Sequence, residues 1–149
     1  MADLELVRRL AAADHGLVVF ATTRADATVQ ASVVNAGVMA NPVGAGDVVA
    51  CVAAGGTTKL ANLRRRPHAT AVFRARWEWV AVEGPAVIIG PDDPVDGFPA
   101  ERLSGLLRDV FVAAGGAHDD WDEYDRVMAA ERRAAVLITP ERITSNAGA

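Results

Sequence analysis

Between Gly16 and Ile89 the chain passes through five short apolar stretches, mostly parted by turn residues, and this succession constrains the fold more than any other feature. Gly16 to Thr22 (GLVVFAT) is β-branched and aromatic and reads as a buried strand. Arg24-Ala25-Asp26-Ala27-Thr28 reads as a hairpin turn, and Val29 to Met39 alternates as the partner strand. Asn41-Pro42 with Gly44 and Gly46 makes a second turn, followed by a third strand from Asp47 to Ala53. Ala69 to Phe73 and Trp77 to Ile89 follow as the fourth and fifth strands, the fifth carrying Trp77, Trp79, Ala81 and Glu83 on one face. Ala135 to Ile143 is the sixth, and Pro140 within it predicts an edge position. Sequential strands joined by turns form an antiparallel sheet, and a small barrel closes such a sheet without exposed edges.

Four helical patterns flank these strands. Asp3 to Ala13 places Leu4, Val7, Leu10 and Ala11 at helical spacing. A second helix follows Gly55-Gly56 and is stopped by Pro67. Ala100 to Ala114 repeats Leu103, Leu106, Leu107, Val110 and Phe111, and Gly115-Gly116 breaks it. Asp120-x-x-Glu123 resembles a capping box ahead of Trp121, Tyr124 and Met128. With 149 residues and neither an internal repeat nor a linker, residues 1–149 read as a single α+β domain.

Charge and cysteine content narrow the function classes. Fifteen basic residues against nineteen acidic ones give a net charge of −4, which speaks against a nucleic-acid partner, since phosphate contacts dominate that binding. The lone Cys51 permits no intramolecular disulfide and no cysteine zinc site. No apolar run reaches membrane-spanning length, and the start MADLELVRRL is amphipathic and carries acids, so the expected location is the cytoplasm, with no membrane partner. The three histidines are scattered without a metal-binding spacing. The acidic run from Asp119 to Asp125 lacks the glycine and the distant glutamate of a calcium loop, which points to helix capping, and no metal site is expected.

The most informative segment is Gly55-Gly56-Thr57-Thr58-Lys59, a strand-to-helix junction. A helix start offers unpaired N–H groups and the positive end of the macrodipole, so an anion is stabilised there. Two hydroxyls can donate, and Lys59 is the one lysine beside fourteen arginines. Asn62 and Arg66 follow on the same helical face. The same spacing also fits a capped surface helix with solvated charges, and the residues alone leave both readings open. Trp77 and Trp79 on one strand face fit either stacking against a flat ring system or cross-strand packing. Ser32 and Asn35, near the end of an apolar strand, fit either recognition of a polar edge or an ordinary strand end.

The runs KLANLRRRP (Lys59 to Pro67), WEWVAVEGPA (Trp77 to Ala86) and HDDWDEYDRVMAAERR (His118 to Arg133) precede a final strand in that order. Together they resemble the coenzyme F420-dependent branch of the pyridoxamine-5'-phosphate-oxidase-like (PNPOx-like, FMN-binding) split-barrel superfamily, especially its actinobacterial members. The resemblance implies a six-stranded antiparallel split β-barrel with flanking helices, working as a homodimer with the cofactor in a groove between subunits. It implies that Lys59 and Asn62 hold the cofactor phosphate, with Thr57 and Thr58 in the same turn; Thr57 stands where close relatives carry an arginine. Ser32 and Asn35 match positions lining the deazaflavin slot, and Trp77 and Trp79 match aromatic positions beside it. The implied activity is hydride transfer from reduced F420 to a small conjugated C=C or C=N substrate, with no side chain marked as proton donor. FMN in place of F420, or a non-catalytic F420 carrier, are the alternatives on the same barrel.

Overall fold

The apolar stretches become strands in the computed structural model, which describes residues 3–147. In chain order the elements are α1 (Leu4–Ala13), β1 (Leu17–Thr23), β2 (Val29–Ala40), β3 (Asp47–Ala53), α2 (Thr58–Arg65), β4 (His68–Ala75), β5 (Glu78–Ile89), a 3-10 turn (Ala100–Arg102), α3 (Leu103–Ala113), α4 (Trp121–Ala130), β6 (Ala134–Ile138) and β7 (Arg142–Ser145). Six strands run in the order β4-β1-β2-β3-β6-β5, and pairing of β4 with β5 closes them into an antiparallel barrel; β7 adds to β5 alone. This is the six-stranded antiparallel barrel with four flanking helices that the sequence predicts.

Closure needs both faces of some strands to be apolar. Val18, Phe20, Cys51, Phe73, Val80, Val82 and Val136 turn inward and fill the barrel. The outward residues of β3 and β6, among them Val48, Ala50, Ala135 and Leu137, lie under Leu106, Leu107 and Val110 of α3 and Tyr124 of α4. α1 covers the barrel end that carries the β4–β5 hairpin, where Arg9 pairs with Glu78 at 2.5 Å. α2 covers the opposite end, where the Pro67 carbonyl accepts from the Ala86 N–H at 3.0 Å.

Two expectations are corrected here. The segment from Ala135 to Ile143 is not one edge strand: Pro140 divides it, and β6 lies between β3 and β5 with all five residues buried. A continuous apolar run is what a strand covered on both faces requires, and the edge falls to β7 instead. The chain crosses there because Gly84 lacks a side chain; a Cβ on it would stand 1.9 Å from the Thr139 carbonyl oxygen. Trp77 is likewise not in a strand. Arg76 (φ 58°) and Trp77 form the two-residue turn of the β4–β5 hairpin, which pairs Ala75 with Glu78.

Cys51 stands at the centre of the barrel wall, fully buried. Burial pushes its thiol up to about 12, and the nearby positive charge of Lys59 pulls only weakly the other way. The thiolate is the reactive form, so Cys51 is expected to ignore a disulfide reagent such as Ellman's in the native protein and to react fully in denaturant. Rapid native labelling would contradict this packing.

Candidate functional site

The corner between β3 and α2 is built by local chain chemistry. Gly55 donates its N–H to the Glu131 carbonyl at 3.0 Å, and a Cβ there would meet Arg132 at 2.8 Å. Its missing side chain therefore serves packing against the turn between α4 and β6 rather than access for a ligand. Gly56 (φ 76°) then turns the chain into α2. Thr57 occupies the cap position, yet its side chain makes no capping bond, and its hydroxyl is buried without a hydrogen-bond partner. Ser32, on the inward face of β2, carries a second buried hydroxyl without a partner. Unpartnered buried hydroxyls are uncommon and call for an explanation such as a bound polar group or water.

The β2–β3 register brings these two segments to the same side of the barrel. Ala36 faces Cys51, and continuing that register sets Ala53 opposite Val34, so the chain leaving β3 passes the Ser32 end of β2. Lys59 is half-buried at the start of α2, Thr58 is exposed beside it, and among the described residues Lys59 has no acidic partner within 4 Å.

Asn62 is only 8% exposed, and its amide nitrogen donates to the Thr22 hydroxyl at 3.0 Å. Thr22, buried on β1, donates in turn to the Gln30 side-chain oxygen at 3.0 Å. This chain holds Asn62 in one orientation and leaves it a second amide hydrogen. Thr22 lacks any local signal in the sequence for this role, because its contact with Asn62 joins residues forty positions apart. Removing the hydroxyl while keeping the shape, as in Thr22→Val, leaves the buried Asn62 amide short of an acceptor. We expect a loss of about 1–3 kcal/mol in urea unfolding; an unchanged midpoint would show that the bond adds nothing.

Three arginines near this corner are engaged. Arg64 is held by Asp93 at 2.7 Å, which raises its pKa, and Arg132 is held by Asp92, whose carboxyl the guanidinium keeps below the usual range. Arg66 donates its Nε to the Thr23 carbonyl at 2.7 Å. Two aspartates of the loop after β5 thus neutralise the two flanking guanidiniums, whereas Lys59 at the helix start has no acidic partner among the described residues. In the acidic run Asp120 caps α4 as expected, accepting from the Glu123 N–H at 3.1 Å, while Asp125, expected on a solvated face, binds Arg108.

The remaining candidates lie elsewhere. Trp79 and the exposed Trp77 are far along the barrel from α2, whereas continuing the β2–β3 register sets Asn35 opposite Val52, on the outer face beside the end of β3. Trp79 is six residues from Pro85, which faces the start of β4, a separation of about 20 Å at strand rise. Asn35 and Trp79 point outward, in one cross-strand row with Leu17 and Arg74 between them. One protomer therefore gathers Ser32, Thr57, Thr58, Lys59 and Asn62 near one end, sets Asn35 on the outer face beside the end of β3, and keeps Trp77 and Trp79 apart from them.

The outward row next to it is Val33, Val19, Val72 and Ala81, in register across four strands. Val33 is 66% exposed and Val29 60%, with Val19 and Leu17 also open, and Trp77 at the hairpin tip is 91% exposed. Single exposed aliphatic residues are ordinary, but a contiguous sheet face of them marks an interaction surface.

No protein-family model matches the chain. Among solved structures, a conserved hypothetical protein of Mycobacterium tuberculosis is similar at 19% identity with a TM-score of 0.69, covering 97% of this chain and 84% of that one. A pyridoxamine 5'-phosphate oxidase-related, FMN-binding protein of Nostoc punctiforme is similar at 11% identity and TM-score 0.62, over 95% of this chain and 82% of that one. An F420 reductase is similar at 14% identity and TM-score 0.58, over 86% and 88%. These likenesses establish the PNPOx-like split-barrel fold.

Proposed function

We propose that the protein is a cytoplasmic, homodimeric F420-dependent reductase that transfers hydride from the reduced deazaflavin to a small substrate with an electron-poor C=C or C=N bond. The observation that carries this reading is the β3–α2 corner: a lysine without a carboxylate partner beside two buried hydroxyls that lack partners. Those groups suit an anionic ligand. Lys59 and the N–H groups of α2 would hold the cofactor phosphate, with the second amide hydrogen of Asn62 and the hydroxyls of Thr57 and Thr58 beside them. The exposed apolar sheet face would be covered by a second copy, which would bring Trp77 and Trp79 to a groove shared between subunits, with Asn35 on the wall beside the end of β3. Reduced F420 would supply a low-potential hydride; the chain's own residues would bind the anion, orient the ring and exclude water.

FMN on the same site is the second reading, favoured by Thr57, which leaves the corner with one cation where the F420-dependent pattern has two. Titrating the purified protein with F420 and with FMN, read by tryptophan quenching, separates the two. Saturation by F420 well below about 100 μM supports the reductase. Saturation by FMN alone replaces the cofactor, and F420 binding without turnover of quinones or enones indicates a carrier. No response to F420 up to that concentration overturns the reading.

A further inference from the structure

A second feature lies where α3 and α4 stop covering the barrel wall. A cleft of about 300 Å³ opens there, walled by Val52 of β3, Val110 and Phe111 of α3, and Tyr124 and Met128 of α4. Val34 and Ala114 add to that wall, and two polar side chains, Asn35 and Arg133, complete the lining. Asn35 is committed, since its amide nitrogen donates to the His15 carbonyl at 2.9 Å. The Tyr124 hydroxyl is committed as well, donating to the Leu107 carbonyl at 3.0 Å. Arg133 uses only Nε, bound to Glu131 at 2.7 Å; among the described residues its two terminal nitrogens make no hydrogen bond. The cleft is thus apolar and aromatic on its walls, with one partly engaged guanidinium as its free donor group.

We infer that this cleft receives a flat, largely apolar molecule bearing one carboxylate, which Arg133 holds through its free terminal nitrogens. A carboxylate meets two parallel donors in fork geometry, whereas an amide or ketone oxygen uses them less well. The volume lies at the small end of ligand pockets, which restricts the occupant to one or two fused rings. Cleft and β3–α2 corner are neighbours, because both use the end of β3 and the turn carrying Glu131 to Arg133. That this molecule is the reductase's reactant rests on the function proposed above; the carboxylate preference itself does not.

The probes are 2-naphthoate and its neutral isostere 2-naphthamide, titrated calorimetrically into the cofactor-free protein. Wild type is expected to bind the acid at least about tenfold more tightly than the amide. Arg133→Gln should erase that preference and Arg133→Lys restore part of it. Arg126→Gln, which removes an exposed charge elsewhere on α4, should leave it intact. Met128→Trp, which fills the cleft, should abolish binding of both probes. Equal binding of acid and amide, a preference that survives Arg133→Gln, or no heat from the acid up to about 1 mM overturns the inference. The F420 titration on the same preparations keeps the two proposals apart. Lost F420 binding with a retained, Arg133-dependent preference refutes the reductase and not the pocket, and the reverse pattern refutes the pocket alone.

Discussion

Replacement of Lys59 by alanine is expected to weaken F420 binding by about 1.5–3 kcal/mol, roughly 10- to 150-fold, while leaving thermal unfolding close to that of the parent. The two halves of this expectation have different causes. Lys59 has no acidic partner among the described residues and is half-buried, so folding gains little from its ammonium group. Binding gains much, because the neighbouring guanidiniums of Arg64 and Arg132 are already paired with Asp93 and Asp92 and cannot take over. Lys59→Arg should recover part of the affinity through its charge but not all, since the fork is bulkier than the ammonium. Raising the salt should weaken wild-type binding and leave the alanine variant less affected, because only the former relies on a full charge. Tryptophan quenching at two salt concentrations measures both. An alanine variant that binds F420 as tightly as wild type would remove the corner from the cofactor site.

How far the sequence reaches is visible in individual residues. Strand positions were legible because inward residues recur with period two, as in Val18, Phe20 and Thr22. The exposed outer side of the same strand was not, since Leu17, Val19 and Ala21 are apolar too and the stretch reads as buried on both faces. That hidden property is the observation behind the proposed second copy. Trp77 misled because W-E-W continues the alternation through a turn that has neither glycine nor asparagine to announce it; Arg76 carries the positive φ instead. The run AAVLI from Ala134 to Ile138 already signals a strand covered on both faces, and it outweighs Pro140, which lies beyond the strand's end. At the site, the spacing from Lys59 to Asn62 was readable from helical geometry. The direction of the Asn62 amide was not, because Thr22 arrives from another strand. Phe111, Tyr124 and Arg133 line a cleft that exists only once α3 and α4 have folded onto β2 and β3.

Val33→Asp is expected to convert the protein from a species of twice 15.6 kDa to one of 15.6 kDa in sedimentation at about 10 μM. Val33 is 66% exposed in the protomer, so an aspartate there meets water and leaves the barrel's own packing untouched. In a two-fold interface the same position occurs twice, and each carboxylate would lose its water among Val19, Val29 and Leu17 or their counterparts. Burying even one unpaired charge costs several kcal/mol after relaxation, and two such penalties exceed what separates a nanomolar from a micromolar dimer. Circular dichroism should stay native, which distinguishes dissociation from unfolding. The consequence for the cofactor follows from where the candidates lie: Lys59 and Asn62 sit near one end of the barrel, whereas Trp79 sits on the outer face, about 20 Å along the strands from it. If two copies assemble the groove, the monomeric variant must lose F420 affinity although every residue of the phosphate corner is intact. Should it remain dimeric, or bind F420 as a monomer with wild-type affinity, the shared groove is wrong and the corner alone holds the ligand.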